Sequence, residues 1–339
     1  MSKILVTGGL GYIGSHTVVE LMNAGYEPVI VDDLSNSHPK ILDQITRITG
    51  KRPVFYQLDL CDDASIKNLA TAEPDITGII HFAAFKAVGE SVQEPLKYYR
   101  NNIYSLVNLL NVYYGKPLNL VFSSSCTVYG QPDELPVTEN APVKPAQSPY
   151  GNTKQIAEEI LMDTVASGAN YKVISLRYFN PVGAHESALI GELPIGVPQN
   201  LVPFITQTAI GKREKITVFG DDYNTPDGSC VRDYIHVVDL AKAHIAALKL
   251  MEGDFKGYDV FNIGTGDGTT VLQVIRAFER VTGVKLNYTI GPRRSGDVEQ
   301  VWGDVTKSKN QLHWQTVLDI DTMMGSAWEW EKYLSNNPL

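Results

Sequence analysis

The chain has 339 residues, with 29 lysines and arginines against 38 aspartates and glutamates, for a net charge of −9. One hydrophobic core rarely serves a chain of that length, so two lobes are expected. The acidic balance excludes a broad nucleic-acid surface and an anionic membrane as partners, but not a small anion held by a few local arginines.

Three cysteines, Cys61, Cys126 and Cys230, are far apart with no C-x-x-C spacing. That fits a reduced, cytoplasmic protein, and no metal site is expected. The opening M-S-K-I-L-V-T-G-G lacks the n-region, h-region and cleavage site of a signal peptide. No run reaches the ~18 apolar residues that suggest a membrane span.

In chain order, Ile4–Thr7, Pro28–Asp32, Val54–Leu58, Gly78–Phe82, Asn119–Ser123 and Val173–Arg177 read as buried strands. Helical stretches Tyr12–Ala24, Asp63–Ala72, Tyr99–Tyr114 and Pro149–Ser167 lie between them. Strand and helix alternating in this way predict an α/β fold, a doubly wound parallel sheet of the Rossmann kind. Residues 180–232 then turn rich in Gly, Pro and Asn, as loops do. A helix over Val238–Met251 and a strand over Val260–Ile263 are expected to rejoin the sheet. Residues 1–179, with about 236–263, are thus expected to form a dinucleotide-binding domain. The remainder of 180–339 is expected to form a smaller mixed α/β substrate lobe, with the ligand cleft between them.

T-G-G-L-G-Y-I-G, residues 7–14, links the first strand to the first helix. Gly8, Gly11 and Gly14 fit a spacing variant of the dinucleotide fingerprint, where glycine lets the backbone approach a pyrophosphate at a helix N-terminus. Asp32 falls 18 residues past Gly14, where a carboxylate grips the adenosine ribose. It would repel a 2′-phosphate, so NAD is favoured over NADP. Asp59, after the third strand, either meets the adenine amino group or is an exposed strand-end acid.

S-P-Y-G-N-T-K, residues 148–154, starts a helix with Ser148 as cap and Pro149 in the first turn. Tyr150 and Lys154 then share one face. An ammonium about 4 Å from the phenol, at an effective dielectric of ~20, is worth roughly 4 kcal/mol. A nicotinamide cation would act in the same direction, so Tyr150 is expected to serve as a base near neutral pH. Ser125, where the fifth strand meets the cleft, is expected to share the substrate hydroxyl.

The glycine loop, Ser125 and the Y-x-x-x-K of Tyr150 and Lys154 resemble the extended short-chain dehydrogenase/reductase superfamily. H-F-A-A-F-K-A-V-G-E-S, S-S-S-C-T-V-Y-G, L-R-Y-F-N-P-V-G-A-H and V-R-D-Y-I-H-V-V-D-L-A resemble, more narrowly, the UDP-galactose 4-epimerase family, over residues 3 to about 330. In that family NAD stays bound while the tyrosine takes the proton of the sugar 4′-hydroxyl and hydride leaves C4′. The 4-keto sugar turns over in the site, and hydride returns to its other face.

The resemblance implies cofactor contacts at Gly8, Gly11, Tyr12, Ile13, Gly14, Asp32, Asn36, Asp59, Leu60, Phe82, Ala83, Ala84, Lys86, Asn101 and Tyr178, besides Ser125, Tyr150 and Lys154. Ala84 replaces the family's usual glycine. For the UDP-sugar it implies Arg232 and Arg294 on the diphosphate, and Asn180, Asn200 and Leu201 on the phosphates and uridine. Phe219 falls beside the uracil, with Thr217 nearby and Asp297 on the ribose. Lys86, Ser125, Tyr150, Phe179 and Val301 complete the substrate set. Val301 stands where members restricted to glucose and galactose carry tyrosine, so N-acetylated UDP-sugars are expected to fit. Cys126, where many relatives have alanine, reads as packing.

Three other functions compete. A nucleotide-sugar 4,6-dehydratase needs an added acid/base group, and no Asp or Glu lies between Ser123 and Gln131. A net dehydrogenase must exchange its cofactor. An NAD-sensing regulator has no need of both Tyr150 and Lys154. Family members pair as homodimers through two helices, here about 99–114 and 149–167. Leu106, Leu109, Leu110, Ile156, Ile160 and Leu161 either make that contact or face their own sheet.

Overall fold

The computed structural model describes residues 2–294 and 298–339. The apolar runs form β1 (Lys3–Thr7), β2 (Glu27–Asp32), β3 (Val54–Gln57), β4 (Ile76–His81), β5 (Leu118–Ser125) and β6 (Tyr171–Tyr178). With Gly257–Ile263 at one edge they make one seven-stranded sheet, in the order Gly257–Ile263, β6, β5, β4, β1, β2, β3. Every pairing in it is parallel. Neighbouring side chains alternate between faces and feed two apolar cores. Ile4, Val6, Ile30 and Val121 pack on one side. Leu5, Val29, Val31, Leu120 and Phe122 pack on the other.

The sheet changes direction between β1 and β4, since β2 and β3 continue on one side of β1 while β5 and β6 continue on the other. Ligands bind outside the carboxyl ends of the strands at such a point. The expected return of the chain is present. Helix Val237–Glu252 packs against Tyr12–Asn23, and Gly257–Ile263 pairs with β6 from Gly257 opposite Lys172 to Ile263 opposite Tyr178.

The remainder is built from short pieces. Helices Leu201–Ala209, Val271–Thr282 and Ile320–Asn336 enclose a third core that includes Val202, Ile205, Val274, Phe278 and Met324. Strand Ile216–Phe219 runs parallel to Tyr288–Gly291. Val231–Arg232 is flanked by Thr269–Thr270 and Gln300–Val301.

One expectation needs correction. The segment read as one helix over Tyr99–Tyr114 is broken by a wide π-turn at Arg100–Tyr104, between helices Pro95–Tyr99 and Ser105–Tyr113. The side chain of Asn102, in that turn, bonds out to Phe85 and Thr153. Of the six apolar positions left open between a partner and the chain's own sheet, Leu106, Leu109, Leu110 and Leu161 are buried at 5% exposure or less, while Ile156 and Ile160 are half-buried. Leu96, Tyr104 and Met162 are exposed apolar side chains on these helical segments.

Candidate active site

The glycine loop opens the crevice. Gly8 has φ +67, and a Cβ there would lie 2.9 Å from the Ala83 nitrogen. A Cβ on Gly14 would lie 2.2 Å from the Gly8 carbonyl oxygen. Only glycine fits either place, so β1, β4 and the helix Tyr12–Asn23 meet with bare backbone facing the crevice. That helix starts at Gly11 with no side-chain cap and no acid in its first turn. Tyr12 donates its hydroxyl to the Gly183 carbonyl at 2.6 Å, tying the loop to the second lobe. Ile13 packs at the margin of the core.

Asp32 ends β2 at 7% exposure. It accepts the N–H groups of Leu10 and Leu34, each at 3.0 Å, and the Ser37 hydroxyl at 2.7 Å. Burial raises its carboxyl from the ordinary value and these bonds oppose the rise. A carboxylate offers about four acceptor positions, so it retains capacity for a ribose hydroxyl. This cradle fits a dinucleotide without a 2′-phosphate.

Asn36 and Asp59 are exposed on the loops after β2 and β3, and the Asp59 carboxylate accepts the nearby Cys61 N–H at 2.8 Å. Leu60 turns its side chain into the core, and its carbonyl accepts the Asn108 amide at 3.2 Å. Phe82, Ala83 and Ala84 leave β4 beside the loop, with Phe82 N–H on the Thr7 carbonyl at 3.1 Å and Ala83 N–H on the Thr7 hydroxyl at 3.3 Å. Asn101 lies in the π-turn and donates to Asn102 at 3.0 Å.

Ser148 caps the helix Pro149–Ala166 by accepting the Gly151 N–H at 3.2 Å. The first two turns carry Tyr150 and Lys154 to the end of β5. Lys154 is 4% exposed and donates to the Ser123 carbonyl at 2.6 Å. Its Nζ stands 5.9 Å from the Tyr150 ring centre and 4.9 Å from that of Phe122. Ser125, at 7% exposure, accepts the Thr127 N–H at 3.2 Å and lies beside the Tyr150 hydroxyl, whose pKa rise it opposes. Tyr178 bonds Ser123 through their hydroxyls.

Electrostatics departs from the expectation here. Burial pushes the Tyr150 phenol up to about 12, and Ser125 only partly opposes it. Burial also lowers Lys154 to about 8, against the pull of Glu158. The sequence argument placed the ammonium about 4 Å from the phenol and left out desolvation, which dominates for both groups.

On the facing lobe, Phe179 is buried against Val128, Tyr129, Val137 and Val301. Asn180 is half-buried and donates its N–H to the Asp233 carbonyl at 3.0 Å. Asn200 precedes Leu201 at the start of its helix. Thr217 and Phe219 flank the buried Val218, so both share the open face of their strand. The Arg294 guanidinium lies 5.9 Å from the Phe219 ring centre. Arg232, opposite Val301 in register, donates to the Val231 carbonyl at 2.7 Å. Val301 is 8% exposed. Asp297 lies outside the described residues.

The chain matches the family model described as GDP-mannose 4,6 dehydratase over residues 5–326. It is 49% identical to the UDP-glucose 4-epimerase of Pasteurella multocida, with 97% of each chain covered. A solved UDP-glucose 4-epimerase from Stenotrophomonas maltophila, with NAD and formylated UDP-arabinopyranose, superposes at TM-score 0.96 with 45% identity and 99% of both chains covered. One from Bifidobacterium longum, with NAD+ and UDP, does so at 0.93, again with 45% identity and 99% of both chains. The chain belongs to the UDP-glucose 4-epimerase family. The similarity to epimerases solved with NAD and with UDP or a UDP-sugar does not favour the dehydratase and sensor readings.

Three residues that contact these candidates were missed in sequence. Glu192 accepts the Asn200 side-chain amide at 2.6 Å and pairs with Lys86 at 3.6 Å, so it joins residues from both lobes. Asn102 accepts the Phe85 N–H at 2.9 Å and donates to Thr153 at 3.1 Å, linking the exit of β4 to the Tyr150 helix. Neither has a sequence signal. Glu158 does, since it stands one turn past Lys154 on the same face.

Proposed function

We propose that the protein interconverts UDP-galactose and UDP-glucose by removing hydride from C4′ and returning it to the opposite face, with NAD held throughout. The observation that carries this is the placement of Ser125, Tyr150 and Lys154 at the end of β5, two strands from the glycine cradle at the end of β1. Tyr150 takes the 4′-hydroxyl proton on its phenolic oxygen and gives it back. Ser125 Oγ shares that hydrogen bond and orients the sugar. Bound NAD supplies the hydride acceptor and a positive ring charge that offsets the burial of the phenol. Lys154 adds its own charge 5.9 Å from the Tyr150 ring centre, and Gly8, Gly14 and Asp32 hold the dinucleotide. Two of the similar structures hold NAD with UDP or a UDP-sugar, which supports the same ligands here.

Arg232, Arg294, Lys86, Asn180 and Asn200 are assigned to the diphosphate side of the nucleotide sugar, and Leu201, Thr217 and Phe219 to the uridine. Guanidinium suits the diphosphate oxygens. Residues 1–179 with about 236–263 serve NAD, and the rest of 180–339 serves the UDP-sugar. Val301 leaves room for a 2-acetamido group, so UDP-N-acetylglucosamine and UDP-N-acetylgalactosamine are also turned over. Normal activity on UDP-galactose with none on either N-acetylated sugar would remove that extension.

Exposed Leu96, Tyr104 and Met162 favour pairing of two chains through the helical segments that carry them. Among the described residues no helix is long and apolar enough to cross a membrane. Three free cysteines favour the cytoplasm. The purified protein should convert UDP-galactose to UDP-glucose with no added NAD. A strict requirement for added NAD would contradict a tightly held cofactor.

A further inference from the structure

The end of β5 is three consecutive serines, Ser123, Ser124 and Ser125, each at 7% exposure or less. Each meets a different turn of the helix Pro149–Ala166. Ser125 faces Tyr150, the Ser123 carbonyl accepts Lys154 at 2.6 Å, and Ser124 Oγ donates to Glu158 Oε1 at 2.5 Å. Tyr150, Lys154 and Glu158 are spaced four residues apart and share one helix face. The third contact has no part in the proton and hydride chemistry described above.

Glu158 is also gripped from β6. Arg177 stands opposite Ser124 in register and donates Nε to Glu158 Oε1 at 3.0 Å and Nη2 to Oε2 at 2.5 Å. The two side chains are 7% and 5% exposed. The guanidinium carbon lies 4.8 Å from the Tyr129 ring centre, and Tyr129 donates its hydroxyl to Asn262 at 2.6 Å. Asn262 in turn stands opposite Arg177 on the edge strand. A buried ion pair is a poor source of stability compared with apolar residues of the same volume. Its location directly behind the catalytic lysine is better explained by reaction geometry.

We propose that Glu158, clamped between Ser124 and Arg177, is a positioning residue that fixes the register of the Tyr150 helix on β5 and keeps Lys154 an ammonium. The groups facing Lys154 support this. Tyr150 and Glu158 lie on its own helix, and His81 faces it from β4. Burial holds His81 to about 3, so it adds no charge near neutral pH. Cys126 and Tyr178 face Tyr150, while Tyr258 on the edge strand faces Glu158. Arg177 is committed to Glu158. That leaves Glu158 as the one carboxylate found, among the described residues, to raise Lys154.

The inference rests on the acid–base reading of Tyr150 and Lys154, and its test separates the two. In holoenzyme with 13C-labelled lysine, Lys154 would be titrated by NMR, its signal assigned by its loss in Lys154→Arg. Glu158→Gln should lower the Lys154 midpoint by roughly half a pH unit or more. The alkaline limb of kcat should move down with it, while KM for UDP-galactose stays within about twofold. Ser124→Ala keeps both charges, so Lys154 should titrate as before while kcat falls several-fold at unchanged KM. A folded Glu158→Gln protein with the Lys154 midpoint and alkaline limb in place would overturn the proposal. If that variant does not fold, unchanged kcat in Ser124→Ala overturns it. Turnover surviving in Tyr150→Phe would instead defeat the acid–base reading and leave the Lys154 titration to report the Glu158 link by itself.

Discussion

At the residue scale the account depends on Tyr150. Burial, partly opposed by Ser125, pushes its phenol up to about 12, so at neutral pH the charges around it decide whether it acts as a base. Tyr150→Phe keeps the ring and removes the proton carrier. We expect kcat to fall by about 10²–10⁴, the usual range for a general base, with KM little changed. A loss smaller than tenfold would assign the proton to another group. Tyr150, Lys154 and Ser125 were legible because helix periodicity and the ends of parallel strands place them by rule. Their charge states were not legible, because desolvation depends on how many atoms surround each group. For the same reason the Glu192 contact with Lys86 was hidden, since it joins residues more than a hundred positions apart.

At the element scale, the helix Pro149–Ala166 must start in the right place. The Ser148 cap fixes its first turn, and Ser148→Ala should cost about 1 kcal/mol of stability. Because Tyr150 sits in that turn, kcat should fall more than the stability loss would suggest, at a temperature where the variant stays folded. Equal kcat in the two proteins would show that the first turn is held by packing alone. The glycine loop gives a sharper case. Gly8→Ala adds a Cβ 2.9 Å from the Ala83 nitrogen at a residue with positive φ. The purified variant should retain little bound NAD, which its absorbance ratio would report, and full occupancy would contradict the cradle. The alternating elements of the first half were legible because buried parallel strands are short apolar runs. The break at Arg100–Tyr104 was not, because it depends on Asn102 finding partners at Phe85 and Thr153. The second lobe is built from strands of two to four residues, too short for periodicity to register.

For the whole molecule, acid should unfold the protein steeply. His16, His81, His236 and His244 are each at 2% exposure or less. Burial holds His16 and His81 to about 3, and His236 and His244 to about 4. Unfolded, each would titrate near 6.5, so the unfolded chain binds more protons once pH falls below that value. Stability is therefore complete above about pH 6.5 and is lost as pH falls toward 4. Each group adds about 1.4 kcal/mol per pH unit, so the four together give a slope of roughly 5 kcal/mol per unit near pH 5. Urea midpoints measured between pH 7 and pH 5 should drop accordingly, and a flat series would contradict neutral buried histidines. The central claim is hydride leaving C4′ and returning to the same carbon inside one closed site. Its most direct test is to incubate the protein with UDP-galactose in D₂O, with no added cofactor, and follow the C4′ proton by NMR. The account predicts UDP-glucose that keeps protium at C4′. Deuterium at C4′ would mean proton exchange at carbon and would contradict it.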